Sequence, residues 1–161
     1  MALIALVVAA ACAGFLPLNF PRARVFMGDV ASVPLGFIFA SLAVYGAQTG
    51  SLSLTVSILI MSVFMVDATL TLFARVLCGE RWYTAHAQHV YQRLIAQGWS
   101  HRRVLVVYQI INVMMVLPAI AVAEKYPQYA VTTVGLTLLL LGASWQIANW
   151  RLRVLSTVQF K

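Results

Sequence analysis

The run LSLTVSILIMSVFMVDATLTLFARVL at residues 52–77 carries charge only at Asp67 and Arg75. Wound as an α-helix rising about 1.5 Å per residue, a stretch of this length crosses the roughly 30 Å hydrocarbon core of a bilayer. Working outward, comparable apolar runs lie at about 2–16, 32–48, 103–122 and 129–150, separated by short polar breaks. The whole chain has 161 residues, 62% hydrophobic and 9% charged, with a mean hydropathy of +0.89. A soluble domain of this composition has too little polar surface to cover itself. The expected fold is therefore all-α: about five transmembrane helices in one multi-pass domain over 1–161, with loops at 17–31 and 78–102.

The formal charge is +7 and the pI about 10.0. No basic run with interleaved aromatics supports nucleic-acid binding. If loops 17–31 and 78–102 and the C-terminus face the cytoplasm, ten basic residues lie inside: Arg22, Arg24, Arg75, Arg81, Arg93, Arg102, Arg103, Arg151, Arg153 and Lys161. Only Lys125 lies outside. This is the positive-inside bias, and it sets the N-terminus outside. Trp82, Tyr83, Trp99, Tyr126, Tyr129, Trp145 and Trp150 fall near expected helix ends and read as interfacial anchors. Cys12 and Cys78 form no ligand spacing. The first run lacks the basic start of a secretory signal and barely spans, which suggests a chain beginning inside something larger.

Three places can carry chemistry. In NFPRARVFMGDVAS, Asp29 precedes a membrane helix; either it or Ser32 caps that helix, or Asp29 is a hard oxygen ligand for Mg2+. Arg22 and Arg24 nearby can meet a phosphate or the anionic lipid surface. Asp67, deep in an apolar run, is a functional candidate by its cost in hydrocarbon; alternatively it ties helices together, with Thr71 one turn away as partner. This second reading competes with a small transporter subunit. In the loop CGERWYTAHAQHVYQRLIAQGWSHRR, residues 85–97 can form an amphipathic helix with His86, His89 and Arg93 on one face and Tyr91, Leu94 and Ile95 on another. The first face is either a set of phosphate donors or a solvated surface.

Taken together, GFLPLNFPRARVFMGDVAS, VDATLTLFAR and AHAQHVYQRLIAQGWSH resemble, in order and spacing, the polyprenyl-phosphate N-acetylhexosamine-1-phosphate transferases. These are glycosyltransferase family 4, and the pattern is most similar to the O-antigen-type branch. The resemblance implies the C-terminal half of a ten- or eleven-helix enzyme in the bacterial inner membrane. Such enzymes transfer an N-acetylhexosamine 1-phosphate from a UDP-sugar to undecaprenyl phosphate, in cell-wall or lipopolysaccharide biosynthesis. It further implies Asp29 as ligand to Mg2+ (or Mn2+), His86 and His89 at the reacting pyrophosphate, and Asn19, Arg22 and Arg93 on substrate. The family's adjacent aspartates belong to an upstream half that this sequence does not contain. Two departures stand out: Ala31 where the family usually has Gly, which crowds the loop if that position needs positive φ, and Ala87 where many members have a phosphate-pairing Arg. The alternative is a non-catalytic truncated or assembly subunit.

Overall fold

A computed structural model of the chain describes all residues except Arg22, Phe26, Trp82, Ala85, His86 and 159–161, and no side chain from residue 153 onward. Among the described residues the chain is helical, and five helices are long and apolar enough to cross a membrane: Ala2–Asn19, Gly28–Thr49, Leu54–Leu77, His101–Lys125 and Pro127–Leu152. The protein is a multi-pass membrane chain. It folds as two compact units, Met1–Ser57 and Ile58–Lys161.

The first unit is a helical hairpin of α1 (Ala2–Asn19) and α2 (Gly28–Thr49). α1 runs through Pro17 and stops at Phe20, whose backbone is extended and whose N–H donates to Leu16 O at 2.8 Å. α2 ends on Gly50 at φ 68°, the left-handed conformation that closes a helix C-terminus most cheaply with glycine. The Ser51 N–H then returns to Gly46 O at 3.0 Å. Gly46 is buried where the start of α1 meets this turn: a Cβ there would lie 2.8 Å from both Leu52 Cβ and Met1 Cε. Both helices otherwise leave their apolar side chains exposed, Val30 at 91% and Phe37 at 73%. That suits a hydrocarbon solvent.

The second unit holds most of the α3 helix (Leu54–Leu77), the short α4 (Val90–Ala96), α5 (His101–Ile111), α6 (Leu117–Lys125) and α7 (Ala130–Val158). α5 and α6 form one span joined by a π-helical turn, Asn112–Val116. Pro118 lacks the N–H that would bond to the Met114 carbonyl, and the preceding turn widens to accommodate it. The packed centre is Leu59, Val116, Ala119, Ala123 and Ala130, with Val63, Ile120 and Val134 against it. Alanines at these contacts let α3, α6 and α7 approach closely, which is how helices associate when no hydrophobic drive separates them from lipid. Ser62 is fully buried and spends its hydroxyl on Leu59 O at 2.7 Å.

Two devices set α4 against α5. Gly98 at φ 89° reverses the chain, with the Trp99 N–H donating to Leu94 O at 3.1 Å. Ser100 then caps α5 by accepting from the Arg103 N–H at 3.2 Å. Of the amphipathic helix expected over 85–97, the described residues show Val90–Ala96, with His89 as its N-terminal cap position.

Candidate functional site

In the first unit, Asp29 is the second residue of α2. Met27 occupies the cap position and no side chain caps the helix, so the capping reading of Asp29 or Ser32 does not hold. The Asp29 carboxylate is exposed and makes no hydrogen bond or ion pair with the described residues. In the first turn its charge is favoured by the helix dipole. The loop before it is held by Asn19, whose amide donates to Val25 O at 3.1 Å, and by the Arg24 N–H on Leu18 O at 2.9 Å. One donor of Asn19 is therefore committed to shaping the loop. Arg22 lies outside the described residues. Ala31 is an ordinary helical residue, and no non-glycine has positive φ among the described residues. The crowding expected there does not arise.

In the second unit, the Asp67 carboxylate is 7% exposed and serves as a hub. Its Oδ1 accepts from the Trp145 indole at 2.9 Å, the Val90 N–H at 3.2 Å and the Thr71 hydroxyl at 3.4 Å. Its Oδ2 faces His89 Nδ1 at 3.6 Å. An intramembrane carboxylate is costly without such partners, and three donors from α3, α4 and α7 answer it. The helix-tying reading with Thr71 is present in the structure, and the charge needs no ion pathway to account for it. Trp145, read from sequence as an interfacial anchor, is instead a ligand of this carboxylate.

Two turns on from Asp67, Arg75 is 4% exposed at the end of α3. Its Nε pairs with Glu80 Oε2 at 2.9 Å, and its terminal nitrogens donate to Arg81 O at 2.8 Å, Thr84 Oγ1 at 3.1 Å and Thr84 O at 3.3 Å. Glu80 Oε2 also accepts from the Gln88 amide at 2.8 Å. A single guanidinium thereby folds the loop back onto α3, an arrangement suited to its planar fork of donors.

α4 is moored to α7. Arg93 donates to the Asn149 carbonyl oxygen, and Gln97 donates to Leu152 O at 3.2 Å. The His89 N–H is taken up by Gln92 Oε1 at 3.2 Å, and the His89 ring stacks on Tyr91 at 5.7 Å with the planes 13° apart. Partial desolvation, with the Asp67 carboxylate adding to it, pushes the Tyr91 phenol above its usual range. His89 and Arg93 therefore face the bundle, and the solvated-surface reading fails for both. His86 lies outside the described residues.

A polar cavity of about 230 Å³ opens here, lined by Thr71, Glu80, Gln88, Arg93, Trp145 and Asn149. It adjoins an apolar groove of about 370 Å³ between Leu70, Phe73 and Leu77 on α3 and Trp150 on α7; Ala74, Trp145 and Asn149 border both. Sequence reading missed Trp145, Asn149, Glu80 and Gln88 as members of this cluster. The available signal was a polar Asn149 inside an otherwise apolar run.

The chemistry of a divalent metal can be tested against these donors. Among the described residues no group of three His, Cys, Asp or Glu side chains is placed to hold an ion. Asp29 fits as one hard oxygen ligand, the number Mg2+ often takes from protein when phosphates and water fill the remainder.

Residues 1–47, which include Asn19 and Asp29, match the family model described as glycosyl transferase family 4. That segment, under a third of the chain, is similar to the family. The chain is 34% identical over 119 residues to a decaprenyl-phosphate N-acetylglucosaminephosphotransferase of Mycobacterium tuberculosis, covering 66% of this chain and 30% of the relative. Over 110 residues it is 36% identical to a probable undecaprenyl-phosphate N-acetylglucosaminyl 1-phosphate transferase of Bacillus subtilis, covering 66% and 31%. It is also 38% identical over 99 residues to a phospho-N-acetylmuramoyl-pentapeptide-transferase of Staphylococcus aureus, covering 59% and 28%. The chain thus spans about 30% of the length of the curated relatives it matches. No solved structure matches it.

Proposed function

We propose that this chain forms part of a polyprenyl-phosphate sugar-1-phosphate transferase of the bacterial inner membrane, with its N-terminus outside and loops 17–31 and 78–102 in the cytoplasm. The similarity to transferases named for this reaction carries the reading, and the family-model match includes the Asp29 segment. The paired cavities support it: an apolar groove suits an isoprenoid chain, and the polar space beside it suits a charged head group. The basic bias of the two loops supports the orientation.

In the proposed reaction an oxygen of undecaprenyl phosphate attacks the sugar-bearing phosphorus of a UDP-N-acetylhexosamine. The bond to the uridylate oxygen breaks, leaving lipid-diphosphate-sugar and UMP. When bound, Mg2+ offsets charge on the diphosphate oxygens. Asp29 would contribute one carboxylate to its shell. Catalysis of phosphoryl transfer is mainly positioning and charge stabilisation. His89, with His86, donates to phosphate oxygens. Arg93 presents a guanidinium whose orientation is set by Asn149. Because no group of three His, Cys, Asp or Glu side chains among the described residues is placed to hold an ion, further carboxylates come from helices of the kind the longer relatives possess.

The test is exchange of radiolabelled UMP into a UDP-N-acetylhexosamine pool by membranes containing this chain, with and without a co-expressed N-terminal half of a relative. Exchange is expected only with both. Exchange by the purified 161-residue chain would overturn the shared-site reading, and no exchange in either case would overturn the transferase itself.

A further inference from the structure

We propose that the surface where α5 begins and α7 ends binds the phosphate head group of an anionic phospholipid, whose acyl chains run down the apolar side of α5. Arg102 and Arg103 are exposed there, with His101 exposed beside them. The Arg103 guanidinium lies 5.6 Å from the centroid of the Trp99 ring, which holds it against the chain reversal at Gly98. Gln97 donates to Leu152 O at 3.2 Å, so the end of α7 that carries the exposed Arg151 is moored beside the same reversal. None of these three guanidinia makes an ion pair or a side-chain hydrogen bond with a described residue.

The second unit has no carboxylate to answer them. Asp67 is taken up by Trp145, Val90 and Thr71, and Glu80 by Arg75 and Gln88. Glu124 stands at the opposite end of the His101–Lys125 span, roughly 35 Å away along a helix of that length. Cations grouped without an anion repel one another, and the negative head groups of a lipid surface relieve that repulsion. Arginine suits the task, because its fork donates two hydrogen bonds to a single phosphate.

The surface beneath the arginines selects the kind of anion. Leu105, Val106, Ile110 and Val113 follow them along one side of α5, and all four are exposed. A soluble anion satisfies only the charge. A phospholipid satisfies both parts, with its phosphate on the guanidinia and its chains on the apolar stripe. Once bound, it braces the turn between α4 and α5 on which Trp99 and Ser100 lie.

The experiment is native mass spectrometry of the full chain released from detergent micelles and titrated with phosphatidylglycerol or with phosphatidylcholine. Phosphatidylglycerol is expected to bind at least about tenfold more tightly. Replacing Arg102→Gln and Arg103→Gln together should weaken it about 30-fold, about fivefold for each guanidinium, while Arg24→Gln in the first unit changes it by less than about twofold. Lysine at both positions should keep most of the preference, and excess inorganic phosphate should leave the lipid bound. Equal affinity for the two lipids, undiminished binding by the double variant, or an equal loss in Arg24→Gln overturns the proposal. Displacement by inorganic phosphate makes this a site for free anions and overturns it as well, and so does exclusion of phosphatidylglycerol by undecaprenyl phosphate. Should the double variant fail to fold, Arg102→Gln decides alone: a loss of about fivefold supports the site and no loss refutes it. None of these outcomes depends on sugar-phosphate transfer, so the lipid site and the transferase reading fail separately.

Discussion

Asp29→Asn preserves size and removes charge at an exposed side chain that no described residue engages. The variant is therefore expected to insert and fold as the parent does while transfer falls to background. Membrane fractionation followed by the exchange assay checks both halves, and turnover near the parental rate would exclude the carboxylate as a metal ligand. His89→Ala is expected to lower turnover by at least about 100-fold, the scale on which losing one preorganised donor is felt. A change of less than about threefold would return His89 to a structural role. The contrast between these residues is physical. No described residue engages Asp29, whereas His89 lies in a web in which Asp67, Tyr91 and Gln92 each restrain it.

At the level of elements, the segment from the end of α3 to the start of α5 depends on a few local devices. Gly98 sits at φ 89°, where an added Cβ is disfavoured, so Gly98→Ala should destabilise the α4–α5 turn by about 1–2 kcal/mol. Loss of the Ser100 cap in Ser100→Ala should cost about 1 kcal/mol. Thermal unfolding in detergent, followed by tryptophan fluorescence, measures both. Arg75→Ala removes four donor contacts at once, among them the ion pair with Glu80. Trypsin cleavage after the exposed Arg81 should then accelerate about tenfold or more, since each charge-assisted bond contributes about 1.5–3 kcal/mol. Unchanged cleavage would mean that the loop is held by something other than the guanidinium.

For the molecule as a whole, the proposal requires the Asp29 loop and the His89 loop on one side of the bilayer. Cys12 and Cys78 are free thiols, so a background lacking them allows single reporters at Arg24, Ala87 and Tyr126. An impermeant maleimide applied to inside-out vesicles should label Arg24→Cys and Ala87→Cys, and applied to intact cells should label only Tyr126→Cys. Labelling of positions 24 and 87 from opposite faces would leave no common pocket and end the proposal.

The amino-acid sequence was sufficient for the membrane class and the five spans, because apolar runs of bilayer length admit only helices that satisfy their own backbone. It also sufficed for pairs close along the chain: Asp67 and Thr71 sit one turn apart, and helical spacing alone brings them together. It could not reveal that α2 begins early enough to take in Asp29, since that boundary turns on a loop closed by Asn19 and Val25. Nor could it show that Trp145, 78 positions away, completes the Asp67 hub, or that Arg93 reaches Asn149 across 56 positions. Those partners were decided by how α3, α4 and α7 pack. Burial leaves each polar group in need of a counterpart, and only the folded chain determines which one stands within reach.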